Sequence, residues 1–152
     1  MKIFLSFCLM LMLLLTGSMC SPRKDDDPVK KIDFYIVSGK KNTLSQLIQE
    51  EIGRQRKPIL YFTADWCAPC RRFKGCLDDP KMREALHDAT LIMIDVDTDS
   101  EEDTLSFTYD VHAVPTFIRV NADGSVIKQI TSAAWDDDTP ENIAPVITRF
   151  LE

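Results

Sequence analysis

Histidine is scarce in this chain: of 152 residues, only two, His87 and His112, carry an imidazole. They are not spaced as a ligand pair. Only Cys76 stands near Cys67 and Cys70, so the further ligands a zinc site needs are missing and no metal is expected. Positive charge is in deficit as well. Lys and Arg number 18 against 24 Asp and Glu, a formal net charge of −6. Nucleic-acid phosphates would repel such a chain, and no basic stripe with interleaved aromatics offsets the balance. The apolar run from Ile3 to Leu15 falls short of the roughly 20 residues a membrane-crossing helix needs. No segment repeats. Asp136-Asp137-Asp138 lacks the spaced ligands of a calcium loop and reads, with Trp135, as a solvated loop.

Against these absences stands a large apolar fraction. Hydrophobic residues make up 45% of the chain, enough for one packed core. The first residues stand apart from it. Lys2 followed by the apolar stretch to Leu15 reads as a secretory signal peptide over residues 1–19. The segment Leu15-Thr16-Gly17-Ser18-Met19-Cys20 resembles a bacterial lipoprotein cleavage site, which makes Cys20 the lipidated first residue of the mature chain. Gly17 and Met19 depart from that pattern. Residues 20–29, with Pro22, Pro28 and the run Lys24-Asp25-Asp26-Asp27, read as a flexible linker. Such a protein is expected in the bacterial cell envelope, lipid-anchored to a membrane and facing the periplasm or the outer surface. Disulfides are permitted in either place.

Residues 30–152 carry the pattern of a single α/β domain. Ile32, Phe34 and Ile36 alternate as a strand ended by Gly39. Thr43-Leu44-Ser45-Gln46 has the form of a capping box, and Leu44, Leu47, Ile48 and Ile52 share a helical face. Pro58 opens a strand over Ile59–Thr63. A helix from near Cys67 to about Leu77 and a short one after Asp79-Pro80 follow. Leu91–Val96 reads as a strand buried on both faces. A weak helix over Asp99–Tyr109 precedes a hairpin, Thr116–Val120 and Ser125–Ile130, turning at Asn121-Ala122-Asp123-Gly124. The end, Ile143–Leu151, is an amphipathic helix with Pro145 in its first turn or at a kink. The order β-α-β-α-β-α-β-β-α implies a parallel core with an antiparallel hairpin, a central mixed sheet flanked by helices.

The densest chemistry lies in Trp66-Cys67-Ala68-Pro69-Cys70. Two cysteines a helical turn apart, at a strand-to-helix junction, suit reversible redox chemistry. The first thiol stands at a helix N-terminus, where the macrodipole favours its thiolate. A structural disulfide closing so short a loop would add little stability. The chemistry requires the Cys67 sulfur to be exposed and ionisable, with Cys70 in bonding reach. Cys76 reads as a half-buried free thiol, His112 as a surface loop residue, and Tyr61 and Met93 as core.

With Val114-Pro115-Thr116-Phe117 placed before the hairpin, these residues resemble the thioredoxin superfamily, over most of the mature chain. The helical insertion at Leu77–Leu86 is similar to its secreted, membrane-tethered reductase domains. The resemblance implies a thioredoxin fold, with Cys67 attacking a substrate disulfide and Cys70 resolving the mixed disulfide. It implies a cis Pro115 facing the cysteines, the Val114 backbone pairing with an extended substrate, Trp66 as an apolar wall and Pro69 as support. No bound cofactor is implied. Two departures stand out. The family's buried Asp and facing Lys fall here on Tyr61 and Met93, which removes the usual base for Cys70 and leaves Asp65, solvent or another carboxylate to serve. Ser132-Ala133 stands where a Gly is usual after the hairpin.

Ala68 and Pro69 bring no cation to the thiolate, and Arg71 and Arg72 would be screened by solvent. The expectation is a protein-disulfide reductase with a potential below about −200 mV, acting on disulfide-containing exported proteins. Its electrons would come from a membrane thiol donor. An oxidase or isomerase, or a binding module with unused cysteines, are the alternatives.

Overall fold

The computed structural model describes residues 30–34, 41–98 and 105–152. Expectations for residues 1–29 (signal peptide, Cys20 and linker), for Gly39 and for the helical start at 99–104 lie outside the described residues. The elements run β1 (Lys30–Phe34), α1 (Lys41–Gly53), β2 (Lys57–Thr63), α2 (Ala68–Cys76), α3 (Pro80–Ala85), β3 (Ala89–Asp95), α4 (Leu105–Thr108), β4 (Thr116–Val120), β5 (Val126–Thr131) and α5 (Pro140–Leu151).

These strands form one five-stranded mixed sheet in the order β1-β3-β2-β4-β5. β3 pairs in parallel with both β1 and β2, whereas β4 runs antiparallel to β2 and to β5. The two central strands are apolar along nearly their whole length because helices cover both faces. On one face Tyr61, Phe73, Met82, Leu86, Phe117 and Ile147 form a core with α2, α3 and α5. On the other, Leu44, Ile48, Leu60, Phe62, Ile92 and Ile118 form a second core with α1 and α4. The alternation of Tyr61 and Phe62 between the two cores is the period-2 side-chain rule.

Local sequence explains most element ends. Asp79 caps α3 by accepting the Lys81 N–H, with Pro80 in its first turn. Gly124, at φ 84°, supplies the left-handed residue of the β4–β5 turn, and its carbonyl accepts the Tyr109 hydroxyl. Two helix starts differ from the sequence reading. α1 begins at Lys41, which puts Thr43 inside the helix rather than at its cap. α5 begins at Pro140 after Thr139 and carries Pro145 in its interior. Pro145 is exposed, so the carbonyl it leaves without a helical partner faces the solvent side. Among the described residues, no helix is long and apolar enough to cross a membrane.

Candidate redox site

The sheet delivers Cys67 to the start of α2. β2 ends at Thr63, a short turn follows, and Cys67 occupies the N-cap with extended backbone. Its sulfur accepts the backbone N–H of Cys70 at 3.1 Å. A sulfur at this place sees an otherwise orphaned helical N–H and the positive end of the helix dipole, and both favour its anionic form. Pro69 lies in the first turn, where a missing N–H costs little. Cys67 and Cys70 are joined by a disulfide with Cα atoms 5.3 Å apart.

Both cysteines are buried. Cys70 is sealed at 0% exposure, while Cys67 keeps 3%. Cys67 is thus buried where the sequence reading asked for an exposed sulfur, because the pair shares one apolar cluster with Ala64, Phe73 and Trp135.

The Val114–Pro115 peptide is cis, and Pro115 is buried at the start of β4. Thr116 anchors this loop by donating its hydroxyl to the Ala113 carbonyl at 2.7 Å. Val114 and Trp66 line one groove of about 300 Å³, together with Val96, Ser106, Val111, His112 and Ala113. The structure therefore brings Trp66, Val114 and His112 to a common surface. Trp66 is not an enclosed wall, since it is 67% exposed and donates its indole N–H to Asp97 at 3.1 Å. His112 itself stands 3.0 Å from Asp110.

Sequence reasoning missed the support behind α2. Asp136 and Asp137 are exposed as expected of a solvated loop, but Trp135 and Asp138 turn inward. Trp135 is only 7% exposed and packs against Phe73 and Phe117. Asp138 accepts the Trp135 indole N–H at 2.8 Å with one carboxylate oxygen and Arg72 Nε at 2.7 Å with the other. The 3₁₀ turn at Ser132–Ala134 leads the chain into this clamp. An aromatic followed at the third place by Asp was the available signal, but its partner Arg72 is far away in sequence. Arg71 is held too, donating to the Asp65 carbonyl at 2.6 Å. Both arginines next to the cysteine pair thus have fixed partners.

Below the pair lies Tyr61, fully buried, stacked on Phe117 at 4.8 Å and tilted against Phe73 at 5.2 Å. Its hydroxyl donates to the Cys70 carbonyl at 3.2 Å. Burial pushes the phenol up to about 12, with the nearby Thr63 hydroxyl partly opposing. Met93, its register partner on β3, is half-buried against the same core. The third described cysteine, Cys76, is free and half-buried. Burial, then the carboxylates of Asp79, Asp138 and Glu141, raise its pKa, which keeps it a protonated, sluggish thiol.

A disulfide capping a helix, a cis-proline loop and a mixed sheet covered on both faces define a thioredoxin-fold thiol–disulfide protein. The chain belongs to the thioredoxin family: the family model described as Thioredoxin matches residues 36–144. It is 30% identical over 96 residues to the thiol:disulfide interchange protein DsbD of Salmonella typhimurium, covering 61% of this chain and 16% of that protein. It is equally 30% identical over 96 residues to Thioredoxin-T of Drosophila melanogaster, covering 62% of this chain and 55% of the relative. The chain thus spans about a sixth of the first relative and about half of the second. Among solved structures, thioredoxin NaTrxh from Nicotiana alata shares the fold with a TM-score of 0.56 at 20% identity, covering 83% of this chain and 96% of that one.

Proposed function

We propose that this protein is a thiol–disulfide oxidoreductase that works as a protein-disulfide reductase on exported proteins outside the cytosol. The observation that carries the reading is the Cys67 sulfur at the α2 N-cap, accepting the Cys70 N–H and joined to Cys70 in a disulfide. In the reduced protein the Cys67 thiolate attacks a substrate disulfide, and one substrate sulfur leaves as a thiolate. Cys70 then attacks Cys67 in the mixed disulfide. The Cys67–Cys70 bond forms, the substrate's second sulfur leaves, and two electrons have passed to the substrate. Val114 and Trp66 border the groove beside the pair and suit an extended substrate segment.

The direction follows from the surroundings of the thiolate. Ala68 and Pro69 bring it no cation, Arg71 is tied to the Asp65 backbone carbonyl, and Arg72 is paired with the Asp138 carboxylate. A thiolate with little added stabilisation leaves the disulfide form comparatively favoured, which is the condition of a reductant. The apolar leader and Cys20 support a lipid-anchored place in the bacterial cell envelope. A membrane thiol donor would restore the dithiol there, a role in keeping with the name of the interchange relative.

Reduction of insulin disulfides by the wild type, lost in Cys67→Ser, tests the activity. Cys70→Ser should accumulate mixed disulfides with its clients, because the resolving thiol is gone. Equal turnover by wild type and Cys67→Ser would overturn the reading, and no turnover by either would leave a binding module.

A further inference from the structure

The floor beneath the second cysteine is polar but neutral. Tyr61 and Thr63 lie two apart on β2, so their side chains share a face of the sheet. Both are buried, Tyr61 at 0% and Thr63 at 4% exposure. Tyr61 directs its O–H at the Cys70 carbonyl, a bond that joins the first turn of α2 to the central strand below it. Thr63 Oγ1 has no hydrogen-bond partner in bonding geometry. Buried hydroxyls are expensive to keep where methyl groups would serve, so a phenol and a threonine at this spot call for a reason.

Charged groups around this floor are turned elsewhere. Asp95, the register partner of Thr63, is half-buried and accepts the Asp97 N–H at 3.0 Å. Arg72 and Asp138 hold each other on the far side of α2. Met93 brings no charge from β3.

We propose that Tyr61 is a positioning residue for Cys70: its hydrogen bond to the Cys70 carbonyl holds the first turn of α2 where the second thiol can close the disulfide. This deepens the functional reading and rests on Cys67 and Cys70 being a working couple. In the closing step the Cys70 sulfur attacks Cys67 of the mixed disulfide. The Cys67–Cys70 bond forms, the bond to the substrate sulfur breaks, and the Cys70 proton goes to the leaving thiolate or to solvent. Tyr61 takes no part in that transfer, because it already holds its own proton throughout the physiological range. Its contribution is geometric. Holding two reacting sulfurs in register raises their effective concentration, and releasing one restraint lowers it.

The test is Tyr61→Phe in the full chain, which keeps the stacked ring and deletes one donor. Equilibration with glutathione separates closing of the disulfide from attack by Cys67. The closing constant is expected to fall about fivefold, the typical worth of one intramolecular hydrogen bond. The Cys67–glutathione mixed disulfide should accumulate, while the pH profile of Cys67 alkylation stays as in wild type. A closing constant that does not move would overturn the proposal. So would a loss matched by a shifted Cys67 profile, since that marks general loosening of the site. Should the phenylalanine variant fold poorly, Tyr61→3-fluorotyrosine decides the matter. It is a stronger donor of nearly equal size and should raise the constant; no change or a fall refutes the role. A wild type that reduces no protein disulfide, yet shows the glutathione couple and its dependence on Tyr61, would sink the functional reading and leave this one standing.

Discussion

The two ends of the central strand pair bury polarity in opposite ways. At the end where β2 and β3 begin, the protein encloses an acidic side chain. Glu51 is 0% exposed, accepts the Thr90 hydroxyl at 2.7 Å and pairs with Arg54 at 2.6 Å. Arg56 completes the cluster by donating to Thr90 and to the carbonyls of His87 and Ala89. At the opposite end, under the sulfurs, the same strand offers only the hydroxyls of Tyr61 and Thr63. The fold can therefore bury a carboxylate when it supplies partners, and it does so away from the redox pair. A buried charge beside the couple would bias the thiolate and the proton balance, whereas a phenol holds position and leaves both alone.

That contrast separates stability from chemistry, and substitutions can pull the two apart. The largest effect belongs to Cys67→Ser, which should abolish disulfide exchange in the insulin assay while leaving the unfolding midpoint nearly unchanged. Next comes Glu51→Ala at the charged end. It removes the carboxylate that holds Thr90 and Arg54, and urea unfolding should show a loss of about 2 kcal/mol. The Cys67–Cys70 potential should not move. A potential that moves with Glu51 would break the separation.

Alkaline pH probes the neutral end. An unfolded tyrosine releases its proton near 10, the native Tyr61 only near 12. Between those values the native state binds more protons than the unfolded one, so its stability is whole below pH 10 and falls as pH climbs towards 12. The fall assignable to Tyr61 is about 2 kcal/mol, and it should be missing from Tyr61→Phe in parallel unfolding curves. Asp138→Ala comes after that. Losing both the Trp135 and the Arg72 bonds should cost about 1–2 kcal/mol in the same assay. Smallest is Cys76→Ser, expected to leave potential and turnover unaltered, since its raised pKa keeps the thiol out of exchange at neutral pH.

How much of this was open to a reader of the sequence depended on how local the determining contacts are. The cap-and-proline start at Asp79-Pro80, the Asn121–Gly124 turn and the end of β2 at Thr63 are set by neighbours in the chain and stand where the pattern put them, though β2 starts two residues earlier than expected, at Lys57. The Cys67-to-Cys70 spacing and Val114-Pro115 pointed to the family for the same reason. Long-range partners were out of view. Asp138 reaches back to Arg72, and Trp135 fills a space between Phe73 and Phe117 that exists only once α2 and β4 have met. The Tyr61 hydroxyl likewise looked like core until α2 laid the Cys70 carbonyl over it. At α1, the capping pattern picked Thr43, whereas the helix begins at Lys41.

The placing of Cys67 at the head of α2 has a practical corollary for anyone who silences the protein. One atom both reacts and finishes a helix, so no replacement is neutral by default. Serine keeps an oxygen that can receive the Cys70 N–H and ranks among the favoured residues for that place. Alanine leaves the N–H bare and should unsettle the first turn by about 1 kcal/mol, so an inactive alanine protein would confound lost chemistry with a frayed scaffold.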